Sequence, residues 1–157
     1  MKRSMPCAAL ALSVALVGCG STEGQGPIDA AQETVADWVL PVEQENEMGR
    51  QMKAQLAQEL KLLDDPQVVG YVRQLGQEIV KAAGDDVPEG IQFEFNVVDD
   101  DQTLNAFAIP GGSIYVYTGL LEAMKDEAEL MGVLGHEVAH VTKRHIAQQL
   151  TAQYGAE

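Results

Sequence analysis

The sequence predicts an α+β domain with a small antiparallel sheet, on three observations. Two segments, Glu43 to about Leu60 and Pro66 to about Val80, carry apolar residues at helical spacing. Short runs between Ile91 and Thr118 carry the alternation and turn residues of strands. From Glu127 to about Gln153 a proline-free stretch returns to helical periodicity. Strands gathered between helices, without a βαβ repeat, suit the α+β class.

The first residues are expected to stand apart from this domain. Met1-Lys2-Arg3 is a short basic start, Ala8 to Val17 is apolar, and Leu16-Val17-Gly18-Cys19 follows. This looks like a bacterial lipoprotein signal covering residues 1–18, with Cys19 as the lipidated terminus. Cys7 would leave with the signal, so the mature chain would hold no intrachain disulfide. Gly20, where an aspartate would favour inner-membrane retention in such lipoproteins, points to an outer-membrane anchor facing the periplasm. Residues 19–28, rich in Gly, Ser and Thr, read as a flexible tether, and residues 29–157 as the folded domain.

Within that domain, Asp29 to about Trp38 reads as a short helix ending before Pro41. Glu43 to Leu60 places Met48, Met52, Leu56 and Leu60 on one stripe, better suited to core packing than to a partner groove. Asp64 or Asp65 can cap the next helix, with Pro66 at its first position and Val68, Val69, Val72, Leu75, Ile79 and Val80 inward. Gly84-Asp85-Asp86 ends it.

Ile91, Phe93, Phe95 and Val97 alternate with polar residues, predicting a half-buried strand from Ile91 to Val98. Asp99-Asp100-Asp101 reads as a solvated turn; it lacks the ligand spacing and glycine of a calcium loop. Asn105 to Ile109 and Ser113 to Thr118 predict a hairpin turning at Pro110-Gly111-Gly112. Ile114 and Val116 would face one side, Tyr115 and Tyr117 the other. Such a hairpin could be purely structural, or its strand Ser113, Ile114, Tyr115, Val116, Tyr117 could pair with an extended peptide.

The last predicted helix starts with Asp126 and Glu129 at capping spacing and buries Leu130, Val133, Leu134, Val138, Val141, Ile146 and Leu150. It carries His136-Glu137-Val138-Ala139-His140. Side chains four apart lie within roughly 40° of each other, so both imidazoles can reach one ion. Two histidines flanking a glutamate in this way fit Zn2+, with Glu137 beside the ligands as the general base toward water, the chemistry of peptide hydrolysis. His145, rotated roughly 140° from His140 on a continuous helix, is expected to be a solvated or packing residue. Lys143 and Arg144 form a small basic cluster that could meet a substrate carboxylate but is better read as complementing the negative helix end.

The 157 residues include 24 acidic and 10 basic side chains, a net charge of −14. This field argues against nucleic acid or anionic head groups as partners. Membrane association would rest on the N-terminal lipid.

Asn105-Ala106-Phe107-Ala108-Ile109-Pro110-Gly111-Gly112, Tyr115-Val116-Tyr117-Thr118-Gly119-Leu120-Leu121 and Gly135-His136-Glu137-Val138-Ala139-His140 with Arg144-His145, in this order, resemble the zinc metallopeptidase family of HtpX, BepA and the CAAX prenyl proteases. The likeness is to its periplasmic lipoprotein branch. The resemblance implies a zincin-like α+β domain with His136 and His140 as zinc ligands, Glu137 as base and the Ser113–Tyr117 strand lining the cleft. It implies a metalloendopeptidase acting on misfolded or damaged envelope proteins, with envelope proteins as further partners. It also implies a third ligand, a glutamate on a later helix; the sequence ends 17 residues after His140, and Glu157 is a poor substitute. The rival expectations are a non-catalytic envelope lipoprotein that binds unfolded chains or a partner along the hairpin edge, and a metal buffer.

Overall fold

The computed structural model describes residues 40–154, with side chains to residue 150. The expected signal, Cys19, the tether, the Asp29–Trp38 helix and Glu157 lie outside these residues. Helix α1 spans Val42–Glu59 and α2 spans Pro66–Ala83. Strand β1 is Glu94–Val98, β2 is Ala106–Ala108 and β3 is Ser113–Tyr117. A short α3, Thr118–Ala123, then leads to α4, Glu127–Thr142, and α5, His145–Tyr154. No helix among the described residues is long and apolar enough to cross a membrane.

The α+β class stands, but the sheet is mixed. Its order is β1-β3-β2, with β1 parallel and β2 antiparallel to β3. The chain leaves β1 through residues 99–105, descends as β2, turns at Pro110–Gly112 and rises as β3 between the two. The expected hairpin is therefore present, with Phe107 opposite Tyr115, while β1 closes on the other side with Phe95 beside Ile114. Gly111 at φ 80° is the turn position where glycine removes the Cβ clash.

Two cores lie on opposite faces of the sheet. Phe95, Val97, Ile114 and Val116 pack with Val72 and Leu75 of α2 and with Leu130, Leu134 and Val138 of α4. Val98, Ile109 and Tyr115 pack with Met52, Leu56 and Leu60 on the other face, so Met52 serves the core. The alternation expected in β3 is observed: Ile114 and Val116 enter the first core, Tyr115 and Tyr117 join the second. Because both faces are covered, β1 is buried from Phe95 to Val98 and is not the half-exposed strand its alternation predicts. Ladder pairing begins at Glu94, since Ile91 is held in a turn onto the Pro88 carbonyl.

Caps follow the local sequence. The Asp65 carboxylate accepts from the Gln67 and Val68 amides at 2.9 and 3.3 Å. Asp126 accepts from Glu129 N at 3.0 Å, while the Glu129 carboxylate accepts from Lys125 N at 2.9 Å. The Asp99–Asp101 run is a turn in which Asp100 accepts from Gln102 N and Thr103 Oγ1. Gly49 lets α1 meet the Pro110 turn: a Cβ there would lie 2.0 Å from the Pro110 carbonyl oxygen.

The predicted single C-terminal helix is broken. It stops at Thr142, Arg144 adopts φ 52°, and a new helix begins at His145. The guanidinium of Arg144 donates to the Glu45 carboxylate at 2.9 Å and to the Leu40 carbonyl at 2.6 Å, which holds the turn against α1. Arg144 is thus a buried structural cation and not a solvated helix-end charge.

Candidate metal and catalytic site

His136 and His140 share one face of α4 because they are one turn apart, and the structure brings their Nε2 atoms to 2.9 Å. The rings stand edge to face, centroids 4.5 Å apart. Two imidazole nitrogens bound tetrahedrally to zinc at about 2.0–2.1 Å lie roughly 3.3 Å apart. The observed pair therefore needs only a few tenths of an ångström of spreading, and the donor set fits. Among the described residues no third His, Cys, Asp or Glu joins them in a metal-holding group.

Val138 and Leu134 bury the opposite face of α4, so packing fixes the helix rotation that leaves His136 exposed and Glu137 and His140 half-buried. Strand β2 runs against α4. The residues flanking β2, Asn105 and Ile109, bond to β3, through the Asn105 carbonyl to Tyr117 N and Ile109 N to the Ser113 carbonyl. The antiparallel pattern therefore turns the amides and carbonyls of Ala106 and Ala108 to the outer edge. There the Ala108 N–H donates to the Glu137 carboxylate. Burial pushes the Glu137 carboxyl above its ordinary value; the two histidines and the Ala108 amide oppose that rise.

Residues 66–157 match the family described as Peptidase family M48. The chain belongs to that family. Among similar proteins are the Beta-barrel assembly-enhancing proteases of Yersinia pestis, 35% identical over 120 residues, and of Escherichia coli strain K12, 32% identical over 120 residues. Each alignment covers 76% of this chain and 24% of the relative. The Mitochondrial metalloendopeptidase OMA1 of Arabidopsis thaliana is 48% identical over 63 residues, 40% of this chain and 13% of its own length. The chain thus spans about a quarter or less of these relatives.

Within this M48 domain the three residues of the H-E-x-x-H motif come together, but the expected substrate strand does not offer an edge. Ser113–Tyr117 is the middle strand, bonded on both sides, and Ile114, Tyr115 and Val116 are buried. The open edge beside the histidines belongs to β2, because β3 threads between β1 and β2.

His145 corrects a second expectation. The turn at Arg144 swings it back, and its Nδ1 lies 2.9 Å from His140 Nδ1. Continuous-helix geometry placed it away from the site, and neither glycine nor proline marks the break in the sequence. Two other contributors were also missed. Ala108 follows from the hairpin register once that is known. Glu45 carries a readable signal, since it falls on the inward stripe of Gly49, Met52 and Leu56.

Proposed function

We propose that this chain carries the catalytic part of a zinc-dependent metalloendopeptidase of the bacterial cell envelope. The observation that carries it is the joined geometry of the motif: two Nε2 atoms 2.9 Å apart, with Glu137 beside them and anchored by an edge-strand amide. His136 and His140 would hold the ion. Zinc, when bound, supplies Lewis acidity, polarising a carbonyl oxygen and lowering the pKa of water toward about 7.

The chain's own residues do the rest. Glu137 takes the proton of the attacking water and returns it to the leaving amine nitrogen. Its partial burial favours the proton-bearing form, and the Ala108 amide aims the carboxylate. The outward backbone groups of Ala106 and the Ala108 carbonyl are placed to align an extended peptide along the β2 edge.

The relatives' names, a beta-barrel assembly-enhancing protease and a mitochondrial metalloendopeptidase, support a metal-dependent endopeptidase. The lipoprotein-like start, with Cys19 as lipid attachment point, supports the outer membrane facing the periplasm, and misfolded envelope proteins as substrates.

Zinc bound near one per chain, with casein cleavage lost on chelation and on Glu137→Gln, is the expected result. Undiminished cleavage by Glu137→Gln removes the assigned base. A second reading, a non-catalytic lipoprotein that binds unfolded chains along the hairpin edge, is supported by the edge position of β2 in the sheet. Peptide binding that survives His136→Ala, with no turnover at saturating zinc, would select it.

A further inference from the structure

His140 is contacted at both ring nitrogens. Its Nε2 faces His136 Nε2, and its Nδ1 faces His145 Nδ1, each at 2.9 Å. The His140 and His145 rings stand nearly perpendicular, 78° apart, with centroids at 4.8 Å. We propose that His145 is a positioning residue for the metal site, its Nδ1 accepting a hydrogen bond from His140 Nδ1–H and so keeping His140 Nε2 free of a proton. This inference rests on the zinc reading above.

The direction of that bond follows from counting protons. A neutral imidazole has one N–H and one lone pair. Around His140, either Nδ1 carries the proton and donates to His145, or Nε2 carries it and blocks the atom that must bind the ion. Both contacts can be satisfied in either direction, but only one direction leaves His140 Nε2 a lone pair for the ion: His136 Nε2–H donates to His140 Nε2 and His140 Nδ1–H to His145 Nδ1. To hold the ion through Nε2, a neutral His136 would carry its proton on Nδ1 instead, and the His140–His145 bond would be unchanged. Partners of this kind fix the tautomer and ring orientation of a ligating histidine.

The contact is built into the fold. A continuous helix would turn His145 roughly 140° from His140. It returns only because Arg144 takes a left-handed conformation, which an L-residue adopts when its surroundings impose it. Those surroundings are Glu45 and the Leu40 carbonyl, bonded to the Arg144 guanidinium in the interior. A residue from the first described helix thus sets the turn that brings the third histidine to the second.

The test measures zinc affinity by competition with a chromophoric chelator, and the His140 tautomer in the metal-free chain by long-range 1H–15N NMR. His145→Leu should weaken zinc binding roughly 10–100-fold, the usual effect of losing such a partner. It should also move the His140 proton from Nδ1 to Nε2. His145→Asn, whose amide oxygen can take the place of Nδ1, should restore the tautomer and most of the affinity, which a mere packing role would not require. His136→Ala separates the two readings. If it loses zinc while His145→Leu binds like the wild type, the positioning role is overturned and the metal site stands. If His136→Ala binds zinc unchanged, the metal reading fails, and an unaltered His140 tautomer in His145→Leu overturns this inference separately.

Discussion

The Arg144 guanidinium sits 2.9 Å from the Glu45 carboxylate, with the two side chains only 6% and 3% exposed. Taking two charges out of water is costly, and the pair offsets that cost only while both members are present. Glu45→Ala is therefore expected to destabilise the domain by about 3–5 kcal/mol. Joint replacement, Glu45→Leu with Arg144→Met, should recover much of the loss. Urea denaturation of the three variants checks this; equal stability of Glu45→Ala and wild type would contradict it.

Gly49 lies where α1 crosses the Pro110 turn. An added Cβ would collide with a backbone oxygen, which cannot rotate away as a flexible side chain can. Gly49→Ala should cost about 1–3 kcal/mol despite alanine's better helix propensity. Gly70, on α2 with open space around it, is the control: Gly70→Ala should be neutral or stabilising. Thermal melts of both variants distinguish the two environments.

Ala108 tests the edge strand. Its amide points away from β3, so proline there breaks no ladder bond while removing the donor to Glu137. A hydrogen bond to a charged group is worth about 1.5–3 kcal/mol, roughly 10–100-fold in rate. Ala108→Pro should lower kcat for casein cleavage by that factor while circular dichroism stays unchanged. An unaltered kcat would show that the amide does not aim the carboxylate.

Asp100 provides a pH signature away from the site. The Thr103 hydroxyl and the Gln102 amide hold its carboxyl below the ordinary value. A depressed folded-state pKa contributes stability above the unfolded-state value and loses it as pH falls through the folded one. The Tm gap between wild type and Asp100→Asn should therefore be full at neutral pH and close on acidification. A gap that widens toward acid would reverse the assignment.

What the sequence reveals is mostly what is local. Asp65-Pro66 and Asp126 with Glu129 start helices through bonds within four residues, and Pro110-Gly111 turns a hairpin through its own dihedrals. The paired histidines follow from one turn of helix. The break at Arg144 is different, because the chemistry that imposes it lies 99 residues away on Glu45. The order of strands is equally non-local: alternation in Ser113–Tyr117 tells which side chains share a face, not which strands lie to its left and right. That is why the motif was legible, while its edge strand and the partner of His140 were not.

The threading of β3 between its two neighbours also governs how the domain can assemble. Strands β1 and β2 have no ladder with one another, so a chain emerging from the ribosome cannot begin the sheet until Ser113–Tyr117 has appeared. Both cores meet across that strand, through Ile114 and Val116 on one side and Tyr115 on the other. Its arrival closes the tight hairpin turn to β2 and the longer loop back to β1 together, and the entropy of that longer closure is compensated only then. The histidine helix, made immediately afterwards, thus docks onto a sheet that has just come into existence.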